Sequence, residues 1–215
     1  MSTSTPAALP GSIGDALRAE IIAQRLPPGS TITESAVALR FGVARPTAKI
    51  AIERLVTDGL LRRTAHHAAR VPELDRDDLR DVFRARAVVE AAAVADLAGG
   101  GVIPAAALRA HRALLADPVG EFAADDIAFH RALVPAGRLA RLHELLMGEI
   151  ELAIGQVQAH RLLSRAAVAE QHQGMLDAVV AGDGDRAAAL AAAHVARTRD
   201  VLIAHYDITH PEGRP

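Results

Sequence analysis

The chain has 215 residues, half of them apolar, only 2% aromatic and none cysteine, with a formal net charge of −2. That length suits one large domain or two small ones with a sizeable core, and the absence of cysteine excludes disulfides and thiolate metal sites. The net charge hides an asymmetry: residues 11–73 carry nine Arg/Lys against six Asp/Glu, and the remainder carries fifteen against twenty. A small basic module therefore joins a larger acidic one, which points to a polyanionic partner at one end.

Residues 1–10 are rich in Ser, Thr, Pro and Ala and lack the basic and apolar regions of a signal peptide, so a disordered tail is expected there. No run approaches the roughly 18 apolar residues of a membrane span, and a soluble cytoplasmic protein is expected. Ile13, Leu17, Ile21 and Ile22 space a first amphipathic helix, which Leu26-Pro27-Pro28-Gly29 stops. Thr33-Glu34-Ser35 opens a short helix that ends at Phe41-Gly42. A third helix runs from about Arg45, with Pro46 in its first turn, to Thr57-Asp58-Gly59. Its apolar face is Ala48, Ala51, Ile52 and Leu55. Leu60 to Thr64 and Ala69 to Val71 read as two short strands around the tip Ala65-His66-His67-Ala68. Helix, helix, tight turn, helix and hairpin make a winged helix-turn-helix over residues 11–73. In that geometry the third helix enters the DNA major groove, presenting Arg45, Thr47 and Lys49, the chain's sole lysine, to base edges or phosphates. Arg62, Arg63, His66, His67 and Arg70 would lie along the backbone or minor groove.

After the connector Val71-Pro72-Glu73-Leu74-Asp75 only helices are expected, at about 76–98, 104–116, 120–134, 138–162, 164–181 and 184–206. The breaks fall at Gly99-Gly100-Gly101, Asp117-Pro118, Pro135-Ala136-Gly137 and Gly182-Asp183-Gly184. The fold class is thus mostly α: a winged helix-turn-helix with a small β-hairpin wing, then an all-α bundle over 76–208.

Four polar residues sit on stripes that otherwise read as buried. Asp126 and His130, one turn apart, share a face with Phe122, Phe129 and Leu133. His172 lies with Val168, Met175, Leu176 and Val179, and His194 with Ala187, Leu190 and Val201. Burying these groups without partners is costly, and one divalent metal ion would satisfy all four. Three imidazoles and a carboxylate suit zinc, nickel or manganese, with zinc put first. Arg86 shares a face with Leu79, Val82, Phe83, Glu90, Val94 and Leu97. Its guanidinium needs an anion there: either Glu90, one turn on, or the carboxylate of a small organic acid gripped by the arginine fork. The effector-binding candidates are thus Arg86, Glu90 and Gln156; Gln156, and with it Gln158, are the weaker ones, or else solvated amides.

Leu26-Pro27-Pro28-Gly29-Ser30, Gly42-Val43-Ala44-Arg45, Ala51-Ile52-Glu53-Arg54-Leu55 and Asp58-Gly59-Leu60-Leu61-Arg62-Arg63 resemble the DNA-binding domain of GntR-type bacterial repressors. Ala44 stands where that family usually has Ser, Lys49 where it has Arg, Ile50 where it has Glu, and Ala68 in place of a wing glycine. Asp78-Leu79 through Arg86 to Glu90, Asp126-Ile127-Ala128-Phe129-His130, Glu170-Gln171-His172 and Gly182-Asp183 through His194 resemble the FCD domain of the FadR subfamily. Gly137-Arg138 departs from its usual Gly-Asn. The resemblance implies a metal held by Asp126, His130, His172 and His194, and an effector acid. It implies a homodimeric regulator of a double-stranded operator, a repressor rather than an enzyme. Two other readings stand beside it: a metal-dependent hydrolase or lyase with an accessory DNA-binding domain, and a pure metal sensor.

Overall fold

A computed structural model describes residues 10–64, 67–116, 121–134 and 136–211. The expected tail (residues 1–9), the wing-tip His66 and the Asp117-Pro118 break lie outside the described residues. The chain divides into two compact units, Met1–Glu73 and Leu74–Pro215. Among the described residues it is mostly α, with a single small two-stranded sheet.

In the first unit, helices α1 (Pro10–Ile22), α2 (Glu34–Phe41) and α3 (Arg45–Thr57) pack around Ile13, Leu17, Ile21, Val37, Ala48, Ala51, Ile52 and Leu55, all buried. Helix α1 begins one residue inside the expected tail, at Pro10. Thr33 caps α2, its hydroxyl accepting from Ala36 N at 3.2 Å. Gly42 then turns the chain at φ 63°, a left-handed conformation that costs glycine little. Helix α3 starts on Ala44 with no side-chain cap, as its departure from Ser implies. The wing differs from the expected hairpin. Strand β2 is only Ala69–Arg70, and its ladder partner is β1 (Thr31–Ile32), antiparallel with Thr31 opposite Arg70. The expected 60–64 strand shrinks to one bridge, Arg62 with Arg70, whose backbone bonds are 2.8 and 2.9 Å. Leu60 and Leu61, being adjacent and both buried, cannot alternate faces as a strand requires. Thr31–Ile32 is too short to show a period in the sequence.

The second unit holds α4 (Arg76–Gly100), α5 (Ala105–Ala116), α6 (Ala123–Leu133), α7 (Gly137–Ala159), α8 (Arg165–Val180) and α9 (Gly184–Thr209). Asp75 and Asp78 form a capping box that starts α4. The alanine-rich α4 and α9 lie close together: a Cβ added at Gly184 would meet the Ala95 carbonyl oxygen at 3.4 Å. Val94, Ala98, Phe129, Leu133, Met175, Leu176, Val179, Ala187 and Ala191 form a continuous core across α4, α6, α8 and α9. The polar residues of the site stand at one end of that core. No single helix among the described residues is long and apolar enough to cross a membrane.

Candidate functional site

Helix α6 delivers Asp126 and His130, α8 delivers His172, and α9 delivers His194. All four are buried, and one ligand atom from each lies within 4.8 Å of every other. His130 Nε2 stands 3.1 Å from His194 Nε2 and 3.2 Å from His172 Nε2. Asp126 Oδ1 stands 3.3 Å from His172 Nε2 and 3.6 Å from His130 Nε2. Donors bonded to a common ion at about 2.0–2.2 Å would lie roughly 3 Å apart, so these spacings fit a metal.

The neighbours of the rings settle which nitrogens face inward. His130 Nδ1 stands 2.8 Å from Glu90 Oε2, and a carboxylate can only accept, so Nδ1 carries the proton. His194 Nδ1 stands 2.9 Å from Gln171 Oε1 and donates in the same way. With both outer nitrogens donating, the Nε2 atoms of His130 and His194 face inward, toward His172 Nε2 and Asp126 Oδ1, and that buried carboxylate oxygen makes no well-formed hydrogen bond. A cation placed among these atoms could be held by all four side chains. His172 is held differently, its ring stacked on Phe129 with centroids 3.8 Å apart.

The electrostatics agree. Burial pushes His172 down to about 4, and burial together with the His130 charge pushes His194 well below the usual imidazole value, so both rings are neutral at neutral pH. Burial would raise the Asp126 carboxyl, but the neighbouring His130 and His172 outweigh it and hold it well below the carboxylate range. Burial likewise opposes charge on His130, yet Glu90 and Asp126 raise it.

Glu90 is the hub behind this centre. Its Oε1 accepts from Arg86 Nε at 2.7 Å and from His143 Nε2 at 3.0 Å, while Oε2 serves His130. Burial would raise its carboxyl, but Arg86 and His130 hold it well below the usual range. Both Glu90 oxygens are thus occupied by side chains of the chain itself. Arg86 is 0% exposed. Its Nε pairs with Glu90, but Nη1 and Nη2 are buried with no hydrogen-bond partner. The expected Arg86–Glu90 ion pair is present, and it leaves most of the guanidinium fork unused.

Of the glutamines, Gln156 is half-buried. Gln158 is engaged elsewhere, where its Oε1 accepts from Phe122 N and Ala123 N, both at 2.7 Å, and so caps α6. Arg165 fixes the same region, donating to Leu114 O, Glu121 O and the Asp125 carboxylate at 2.7, 2.6 and 3.0 Å. His143 and Gln171 were not singled out by the sequence. His143 could have been found from the buried stripe His143, Met147, Ile150 and Ile154; Gln171, beside His172, carries no periodic signal.

In the first unit Arg45 and Lys49 are exposed on α3, and Thr47 is half-buried. Arg45 also reaches the Ser35 hydroxyl on α2. Arg63 is turned inward, ion-paired with Glu53 and, at 3.6 Å, with Glu34. Arg62, His67 and Arg70 are exposed around the wing, Arg70 Nε lying 3.3 Å from Thr31 Oγ1.

Residues 10–71 match the family described as bacterial regulatory proteins, gntR family, and residues 65–197 match the FCD domain. The chain belongs to the GntR family and carries an FCD domain. As such it is a transcriptional regulator with a helix-turn-helix DNA-binding domain, of the FadR-like subfamily. It is 28% identical over 193 residues to the “Probable D-xylose utilization operon transcriptional repressor” of Paenarthrobacter nicotinovorans, covering 86% of this chain and 84% of that one. It is 27% identical over 201 residues to the “Uncharacterized HTH-type transcriptional regulator BphR” of Paraburkholderia xenovorans (strain LB400), covering 86% and 82%. The crystal structure of a GntR transcriptional regulator from Rhodococcus sp. RHA1 shares the fold, with TM-score 0.73 and 23% identity over 92% of this chain and 98% of that one. So does E. coli McbR/YncC, with TM-score 0.73 and 19% identity over 93% and 99%.

Proposed function

We propose that this GntR regulator is a repressor whose FCD domain holds a divalent metal and senses a small organic acid. Asp126, His130, His172 and His194 would hold the metal, zinc first and nickel or manganese next. The metal supplies a Lewis-acidic point to which the oxygens of an acid can bind. The observation that carries the effector is Arg86: two buried guanidinium nitrogens without a partner, one side chain removed from the metal ligands through Glu90. A carboxylate is the group that a planar fork of this kind grips bidentately. Gln156 is a further candidate contact.

On the DNA side, Arg45, Thr47 and Lys49 are the proposed base and phosphate contacts, with Arg62, His67 and Arg70 along the wing. Arg63, engaged by two glutamates, has a structural share in that set. A homodimer would place two copies of α3 in half-sites one helical turn apart. The word repressor in the name of the Paenarthrobacter relative supports that mode of action. For the acid to control DNA binding it must bind two arrangements of the dimer unequally.

The test is thermal unfolding of the full chain, as purified and after chelation, against a panel of small hydroxy-, keto- and sugar acids. One class of acid should raise the transition temperature, and chelation should abolish the rise. Arg86→Lys keeps the charge beside Glu90 but removes the fork, so it should retain the metal and lose the response. A response that survives in Arg86→Lys would take the acid away from Arg86, and the absence of any response while chelation still destabilises would leave the metal as a structural element and refute acid sensing.

A further inference from the structure

The outward face of α3 carries an apolar side chain where a solvated helix would carry a polar one. Ala48, Ala51, Ile52 and Leu55 are buried, and at the 3.6-residue period Pro46, Ile50, Glu53 and Thr57 stand roughly opposite them. Ile50 is 58% exposed. An exposed isoleucine is ordinary in itself; here it stands one turn after Pro46, next to Lys49 and one turn before Glu53, on the helix that a helix-turn-helix inserts into DNA. The Glu53 carboxylate, which would otherwise repel phosphates, is paired with Arg63. The centre of this face is therefore apolar, with the positive charges of Arg45 and Lys49 along the same helix.

We infer that Ile50 is a specificity-determining residue that selects a thymine in each operator half-site by contact with its 5-methyl group. In the major groove the four base pairs offer hydrogen-bond donors and acceptors, and the thymine methyl is the one apolar group among them. A β-branched side chain in a helix is held almost wholly in one χ1 rotamer, so the Ile50 methyls occupy a defined place on the helix and lose little entropy on contact. A cytosine amine or a guanine carbonyl set against the same methyls would lose its water and gain no partner. Lys49, adjacent but polar, reads a phosphate or guanine and does not distinguish thymine from its demethylated analogue. The inference rests on α3 being the DNA-reading helix.

The experiment starts with selection of preferred sequences by the full-length wild-type chain from a random-centre duplex library. In the best duplex each symmetric pair of thymines is then replaced by deoxyuridine, which removes only the 5-methyl groups. Kd is measured at fixed salt for wild type, Ile50→Ala and Lys49→Ala. One thymine pair should weaken wild-type binding by about fourfold per lost methyl contact when demethylated. Ile50→Ala should bind the thymine and uracil duplexes equally. Lys49→Ala should bind both more weakly but keep their ratio. If no thymine methyl matters to the wild type, or if Ile50→Ala keeps the same sensitivity, the inference is overturned while sequence-specific DNA binding stands. If the wild type enriches no sequence, α3 does not read DNA and the inference falls with it. Ile50→Val, which keeps the branched carbon and one fewer methylene, should show intermediate discrimination. It also checks that any loss in Ile50→Ala comes from the contact, not from folding.

Discussion

Replacing Glu90 by glutamine (Glu90→Gln) keeps the shape of a fully buried side chain and removes its charge. The carboxylate accepts three hydrogen bonds, from Arg86 Nε at 2.7 Å, His130 Nδ1 at 2.8 Å and His143 Nε2 at 3.0 Å. An amide has only one oxygen. If that oxygen stays against Arg86 and His143, the NH2 group faces His130 Nδ1, which must then become the acceptor. The His130 proton moves to Nε2, the atom that faces the metal position. If the amide flips, its NH2 group meets two donors. Either way Arg86 loses its buried counter-ion, a change that costs about 3–5 kcal/mol when one partner of such a pair is removed. Loss of the carboxylate behind a ligating histidine weakens metal affinity roughly 10–100-fold. At saturating metal that corresponds to about 1.4–2.7 kcal/mol less metal-dependent stabilisation. Zinc affinity is measured by competition with a chromophoric chelator, and stability by urea unfolding with and without zinc. A Glu90→Gln protein with wild-type zinc affinity and an unchanged urea midpoint would refute the view that Glu90 sets the His130 tautomer.

Acidification of the chelated protein should cost stability between pH 6.5 and about 4. His172 titrates near 6.5 when unfolded and near 4 when folded, so the unfolded chain takes up its proton first, a loss of about 3 kcal/mol across that window. His194, also lowered, adds to the loss. His130 is raised, so its contribution is fully present below 6.5 and constant in this window; it is lost only as pH rises through its folded value. A urea midpoint flat from pH 6.5 to 4 would contradict the burial of the two neutral rings. Gln158→Ala removes the acceptor shared by Phe122 N and Ala123 N and should cost about 1–2 kcal/mol in urea unfolding. Gln158→Glu, which keeps an acceptor at a helix N-terminus, should cost less. Equal loss in both variants would show that the cap is unimportant.

The helices and the grouping of Asp126, His130, His172 and His194 were legible in the sequence because both depend on local periodicity. Polar side chains on apolar stripes, as at Asp126, His130, His172 and His194, stand out at a period of 3.6 whatever the helices pack against. Several ends of the helices were legible from Pro27-Pro28-Gly29, Gly42, Gly99-Gly100-Gly101 and Gly182-Asp183-Gly184, since breakers act within a turn. The wing was legible only in part: Leu60 to Thr64 meets Ala69–Arg70 through the single Arg62–Arg70 bridge, while Thr31–Ile32, a segment distant in sequence, supplies the ladder. The supporting groups of the site were hidden for the same reason. His143 is 53 residues from Glu90, Gln171 is 23 from His194, and Gln158 is 35 from Ala123. A hydrogen bond between helices leaves no spacing in the chain. The sequence alone therefore determined which polar residues gather at the candidate site and which helices they ride on. Only the tertiary structure decided how their protons and charges are arranged, because tautomer, pairing and burial are properties of neighbours brought together by packing. Among these are the two unpartnered nitrogens of Arg86.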